Sequence, residues 1–428
     1  MLLEFTVGNF LSFKDKKTLD FSTSSISDFP NNVYTEGGYK FLKSIVIYGA
    51  NASGKSNLLK AMNVMRQMVT GTAQQSSTSI LSILPFLLNK KSMENPSHFE
   101  ALFLIEGVRY RYGFEATHEK ITSEWLFEAK KNTEKPLFIR IPEGIDVMPR
   151  FKEGRNIEQR TRDNALFLSI VDQFNGEVAH KVMHWFNNWR IVSGLSHTEQ
   201  RQVTYKYLKT PSKANVLKNF FMLFDLGFYN IRLGERLLSQ NDILGLMINE
   251  KSTEYKPTFI REPVLDAYTI HNQYDDLGAI VGSIEFNMEI LESSGTNKLF
   301  DITGSILEAL EAGSPLIIDE LDAKLHPLIT LSLIRLFHNP EYNPNNAQLI
   351  FATHDTNLLS MGRFRRDQIY FTEKNAVEAT ELYSLVEFKL KGTVRKDRSF
   401  EKDYIQGLYG AIPHVAHPYK LAEAWQGK

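Results

Sequence analysis

The 428-residue chain carries 49 Lys+Arg against 50 Asp+Glu, 43% hydrophobic residues, 12% aromatics and no cysteine. That apolar share beside 23% charge excludes bulk disorder, and the missing cysteines exclude disulfides, thiolate zinc sites, iron–sulfur clusters and cysteine nucleophiles. A net charge of −1 excludes a histone-like wrap of nucleic acid and leaves room for a local basic patch only.

At roughly 100–200 residues per domain, the length suggests two or three domains. No basic region precedes an apolar core at the N-terminus. The longest apolar stretch, 80–88, is broken by Ser82 and Pro85 and is too short for a bilayer. The expectation is a soluble, cytoplasmic protein with no membrane partner. Alternating residues predict strands near 2–7 and 18–21, and the β-branched run 44–48 predicts a buried central strand. A glycine loop and a helix over 54–69 follow, then a polar loop over 72–79. From 99 to 129 the period is two, with 99–105 and 108–114 flanking the turn pair Glu106-Gly107 and a third strand over 121–129. From about 163 the pattern is helical over 165–171, 178–189, 214–224 and 235–248, without sustained heptads. Strands return at 264–271 and 283–290. The alternation of helix 296–311, strand 316–318, helix 325–338 and strands 348–352, 368–372 and 381–385 implies a largely parallel, helix-covered sheet. The chain shows no internal repeat.

Gly49-Ala-Asn51-Ala-Ser53-Gly54-Lys55-Ser56 fits G-x-x-x-x-G-K-[ST] between a predicted strand and a predicted helix. Glycines let backbone N–H groups turn inward around phosphates, and the helix N-terminus adds a positive dipole. Lys55 would neutralise the β- and γ-phosphates of ATP, and the Ser56 hydroxyl would hold Mg²⁺. Asn57 completes the candidate nucleotide-binding stretch. Leu316-Ile-Ile-Asp319-Glu320 is an apolar strand ending in two acids. Asp319 suits the Mg²⁺ shell, and Glu320 suits polarising a water for attack on the γ-phosphate.

Spacing adds further members. Ser293-Ser294-Gly295-Thr296 opens a predicted helix 26 residues before Asp319, and Thr353-His354-Asp355 ends a strand 35 residues after it. A Ser-Gly turn at a helix start suits an anion as well as a simple N-cap, and His354 suits a phosphate or the attacking water.

Taken in order, these motifs resemble the ABC-type ATPase heads of the SMC, RecF and OLD group. They are more closely similar to short bacterial AAA_15/AAA_21-type ATPases associated with abortive infection and phage defence. Asn9-Phe10-Leu11-Ser12-Phe13 resembles that group's N-terminal Asn-Phe-Arg-Ser-Phe, with Leu11 where many relatives have Arg. The segment from Tyr404 to Pro413 resembles the closer family's C-terminal segment. The resemblance implies an α/β fold: a P-loop ABC-type ATPase head with an antiparallel β-meander and a helical insertion. The expected division is 1–150 and 261–428 as the two halves of the head, with a mainly helical insertion over 151–260. It also implies a homodimer or higher homo-oligomer with ATP at the interface. Residues 49–57 of one copy would be capped by residues 293–296 of the other, Asp322 would lie on the seam, and His354 would be the switch histidine. No glutamine is an unambiguous Q-loop residue.

Some relatives of the OLD type carry a TOPRIM nuclease. The 74 residues after His354 hold no acidic cluster of that kind. The expectation is therefore an ATPase acting as sensor and motor for a separately encoded effector nuclease. An ATP-gated scaffold and a RecF-like DNA-repair ATPase are the alternatives. His180 and His184 share a helix face without an evident third ligand, and Arg190 with His197 is a weaker nuclease hint. Trp185, Phe186 and Trp189 read as packing of the insertion's core. Arg363, Arg365, Arg366, Lys389, Lys391, Arg395, Lys396 and Arg398 suit DNA or an acidic partner as well as a solvated face.

Overall fold

The computed structural model describes residues 1–130, 133–192, 198–236, 264–360, 364–388 and 399–413. The chain forms two compact units. One comprises Met1–Ile191, Ala309–Ala323 and Thr330–Lys428; the other comprises Val192–Glu308 and Lys324–Ile329.

The larger unit contains a seven-stranded antiparallel sheet. Its order is Gly144–Val147, Glu134–Ile141, Ile121–Ala129, Val108–Ala116, Ser97–Ile105, Leu2–Gly8 and Lys17–Asp20. Ile105 pairs with Val108, so Glu106 and Gly107 form a two-residue turn with φ of 50° and 75°, the primed geometry that matches strand twist. Alternate residues such as Phe5, Phe99, Phe103, Tyr112, Phe114 and Phe138 are buried in one core with residues of the helices Lys55–Gly71, Phe167–Gln173 and Glu177–Asn187. Two strands of this meander, Glu134–Ile141 and Gly144–Val147, escape the sequence pattern because Pro136 and alternating charges weaken the first and the second has four residues.

Two carboxylates, Glu124 on a strand of this sheet and Glu153 in the turn Lys152–Gly154 beyond it, hold helix starts in this unit. Glu124, fully buried, accepts from Phe167 N at 2.6 Å, Leu168 N at 3.0 Å and the Tyr112 hydroxyl at 2.9 Å. Glu153 accepts from Val178 N at 3.2 Å and Ala179 N at 2.9 Å. Each supplies acceptors for N–H groups that a helix start leaves unpaired. The aromatic cluster closes on the meander, not on a core of the insertion's own: Trp185 stacks on Phe103 at 4.0 Å, and Trp189 and Phe186 are fully buried beside it.

The second sheet of this unit runs Arg190–Val192, Pro315–Ile318, Gln348–Ala352, Ser44–Gly49, Ile369–Lys374, Thr380–Ser384. Its four consecutive strands from Pro315–Ile318 to Ile369–Lys374 are parallel, and Thr380–Ser384 is antiparallel. Three of them, Pro315–Ile318, Gln348–Ala352 and Ser44–Gly49, are buried at every position, which explains their unbroken apolar runs.

The smaller unit holds the helices Thr198–Lys209 and Pro211–Met222 and the antiparallel sheet Asn230–Arg236, Val264–Tyr274, Ile280–Asn287. The first of these helices was not legible, since TEQRQVTYKYLK has few aliphatic residues. The expected helix 235–248 starts instead as the end of the strand Asn230–Arg236, and its remainder lies outside the described residues. The helix Ser294–Ala312 packs closely on Thr198–Lys209. Gly304 N donates to Thr204 Oγ1 at 3.0 Å, and a Cβ at Gly304 would lie 2.5 Å from Thr204 N.

Candidate functional site

The parallel strands bring their C-terminal ends together. Thr372 stands in register with Gly49, Ala352 with Ile47, and Ile318 with Phe351. The residues that follow these ends are the loop 49–54, His354 and the pair Asp319 and Glu320. The strand leading to His354 lies between the strand leading to Lys55 and the strand leading to Asp319. Carboxyl ends of parallel strands are where open α/β sheets bind ligands.

Gly49 and Gly54 adopt φ of 157° and 117°, and Ala52 at the exposed loop tip beside Asn51 adopts 61°. The loop is pressed against its neighbours: a Cβ at Gly49 would meet Thr372 O at 2.5 Å, and one at Gly54 would meet Thr380 Cγ2 at 2.6 Å. Ser53 turns its hydroxyl to Thr372 Oγ1 at 2.6 Å, and Asn57 Nδ2 donates to Ser12 Oγ at 2.8 Å. Both side chains therefore face the scaffold, and Ser53 can meet a phosphate only through its backbone.

Lys55 is 6% exposed and donates to its own loop carbonyls, Gly49 O at 2.8 Å and Ala50 O at 3.1 Å. Desolvation lowers its pKa to about 8, against the raising influence of Asp319, Glu320 and Asp322. Asp319 Oδ1, Asp322 Oδ1 and Asp355 Oδ2 are buried oxygens without a hydrogen-bond partner. Such atoms call for a cation or a donor. Ser56 at the helix start and Asp319 are hard oxygen donors that fit Mg²⁺. No cluster of three His, Cys, Asp or Glu residues suited to a metal occurs among the described residues.

Glu320 follows Asp319 with a backbone φ of 51°, a left-handed conformation uncommon for a non-glycine residue. Leu321 N donates to Ala352 O at 3.2 Å, tying this turn to the neighbouring strand end. His354 N donates to Asp322 Oδ2 at 3.4 Å. Desolvation and then the charge of Lys55 lower the His354 pKa, while Asp322, Glu320 and Asp319 oppose them. Beneath this loop the Tyr48 hydroxyl donates to Asp355 O at 3.1 Å, and Tyr404 of the C-terminal segment packs against Tyr48 and Phe371.

Ser293, Ser294, Gly295 and Thr296 belong to the smaller unit. Ser293 caps the helix Ser294–Ala312 by accepting from Thr296 N at 3.1 Å, and Ser293 and Ser294 are exposed. Asn297 Nδ2 reaches Met288 O, Glu292 O and Ser293 O, and Asn297 Oδ1 in turn accepts from Arg201 at 2.8 Å. Arg201 also pairs with Asp301 at 2.7 Å. Arg201, Thr372 and Thr380 had no sequence signal, because each meets its site through residues roughly a hundred or several hundred positions away.

The weaker leads resolve differently. His180 faces Asp172 at 3.1 Å and His184 faces Asn188 at 2.9 Å. Arg365 is an internal strut and not a solvated cation, paired with Asp367 at 2.7 Å and donating to Ile26 O, Asp28 O and Ser24 O. His197, Arg363 and the run Lys389, Lys391, Arg395, Lys396 and Arg398 lie outside the described residues. No described helix is long and apolar enough to cross a membrane.

Among known families, residues 44–360 match AAA_21, described as "AAA domain, putative AbiEii toxin, Type IV TA system". No curated protein matches the chain. The family match covers most of the chain, from the strand before Gly49 to the helix beyond His354, and the chain belongs to this AAA_21 family, a P-loop ATPase of the AAA_15/AAA_21 type within the SMC/RecF group.

Proposed function

We propose that the chain is an ABC-type ATPase that binds ATP with Mg²⁺, hydrolyses it at a site shared between two copies, and drives a separately encoded effector in a phage-defence system. The observation that carries the ATPase reading is the position of Lys55: a desolvated ammonium on a glycine loop, influenced by Asp319, Glu320 and Asp322, beside a buried Asp319 oxygen without a partner. Lys55 leaves its loop carbonyls to meet the phosphates. Ser56 and Asp319 hold Mg²⁺, which supplies charge neutralisation at the phosphate oxygens. Glu320 orients the attacking water and takes its proton, and His354 donates to the γ-phosphate side. The exposed Ser293 and Ser294 at a capped helix start support their use by a second copy, since a helix N-terminus favours the γ-phosphate. The family's description as a Type IV toxin–antitoxin system supports a separate partner protein and the defence role.

The test is ATP turnover by the purified full-length chain, alone and with DNA. Glu320→Gln is expected to keep ATP binding, lose about 100-fold in turnover and accumulate a dimer with ATP, read by light scattering. Absence of turnover in the wild type under every condition overturns the ATPase reading. Full biological activity of Glu320→Gln would favour an ATP-gated scaffold.

A further inference from the structure

The phosphate loop is held from outside by hydroxyls that lie beyond the loop's own motif, at Ser12, Thr372 and Thr380. Thr380 is 1% exposed, and its Oγ1 donates to Ser53 O at 2.8 Å and lies 2.8 Å from Ser12 Oγ. Thr380 N donates to Ser12 O at 2.7 Å, and Asn57 Nδ2 donates to Ser12 Oγ at 2.8 Å. Thr372, fully buried, sits 2.6 Å from Ser53 Oγ. Two ends of one motif, Ser53 before Gly54 and Asn57 in the first helical turn, are thus joined through Ser12 and Thr380.

The position of Thr380 is itself fixed. Asn375 Oδ1 accepts from Val377 N at 3.1 Å and Ala379 N at 3.0 Å, shaping the turn that delivers Thr380. One strand residue further, Glu381 pairs with Lys17. The approach of Thr380 is close enough that only glycine fits at 54, so methyl and hydroxyl together set where the loop backbone lies.

We infer that Thr380 is a positioning residue for nucleotide binding, acting with Ser12 and Thr372 to hold the loop 49–57 with its N–H groups turned inward before ATP arrives. The inference rests on the nucleotide reading of that loop. A preformed cradle spares the ligand the ordering of the loop, so the latch appears in affinity. Thr380→Val keeps the shape but leaves Ser53 O and Ser12 Oγ in a dry environment without this hydroxyl, a loss of about tenfold in ATP affinity.

The experiment is titration of the full chain with a fluorescent ATP analogue, together with steady-state turnover and thermal unfolding. Thr380→Val is expected to raise Kd and KM about tenfold and leave kcat at saturation within about twofold, and Thr380→Ser is expected to restore affinity. Ser12→Ala, which removes a single oxygen, is expected to shift Kd in the same direction and serves if Thr380→Val does not fold. Wild-type Kd in folded Thr380→Val, or in Ser12→Ala if Thr380→Val does not fold, overturns the inference, even with a lowered melting temperature. Failure of the wild type itself to bind in the same titration overturns the nucleotide reading, a result distinct from equal affinities.

Discussion

The backbone N–H of His354 points at the Asp322 carboxylate, 3.4 Å from Oδ2, so the residue after one strand is read by the turn after the next. Asp322 keeps its other oxygen buried without a partner. The Asp322 carboxylate thus holds the backbone that presents His354, and its charge opposes the lowering of the His354 pKa, so loss of Asp322 leaves the imidazole misplaced. Asp322→Ala and His354→Ala are each expected to lower turnover at least tenfold. The double variant should lose little more than either alone, a non-additivity measurable by a double-mutant cycle on kcat.

Lys55 is a charge held against desolvation, and the wild-type chain without nucleotide bears that strain. Lys55→Met is expected to weaken ATP binding by about 100-fold, close to 2.7 kcal/mol, yet to melt at the same temperature as wild type or higher. Calorimetry with and without ATP checks both halves.

His338 gives stability a pH dependence. Its Nε2 lies 2.7 Å from Ser44 Oγ, which accepts from Gln368 Nε2 at 2.8 Å, so the Ser44 proton is aimed at the imidazole. Burial, then the charge of Lys43, lowers the His338 pKa from 6.5 to about 3. Between those values the unfolded chain binds the proton and the folded chain does not. Stability is therefore expected to fall as pH drops from 6.5 towards 3, by roughly 1.4 kcal/mol per unit from this group. His338→Gln should flatten that part of the curve in denaturant titrations run at several pH values.

Glu124 tests the architecture separately from the chemistry. Removing it strands the N–H groups of Phe167 and Leu168 and the Tyr112 hydroxyl in the core. Glu124→Ala is expected to destabilise by about 3 kcal/mol or more, read from chemical unfolding, with unchanged ATP affinity in the folded protein.

Much of the candidate site was legible because its chemistry demands local patterns. The glycines around Lys55, the acids after an apolar run and the capped start of Ser294–Ala312 are all short-range necessities. The meander was visible through Glu106-Gly107 and strict alternation. What stayed hidden was long-range: Thr380 against Gly54, Arg201 against Asn297, and Trp185 on Phe103 are pairings that no window of sequence contains. The charged and proline-bearing strand Glu134–Ile141, which lies next to the four-residue edge strand Gly144–Val147, was lost for a different reason, since only some of its positions are buried and its apolar alternation is weak.

The latch between Ser53 and Thr380 also sets a schedule for synthesis. The loop is made 327 residues before the hydroxyl that secures it. At about 5–20 residues per second a ribosome takes roughly 15–65 s over that interval. For most of it the nascent chain has its lysine but not Asp319, and throughout it lacks the outer strand, so a growing polypeptide is expected to hold ATP only weakly until most of it has been translated.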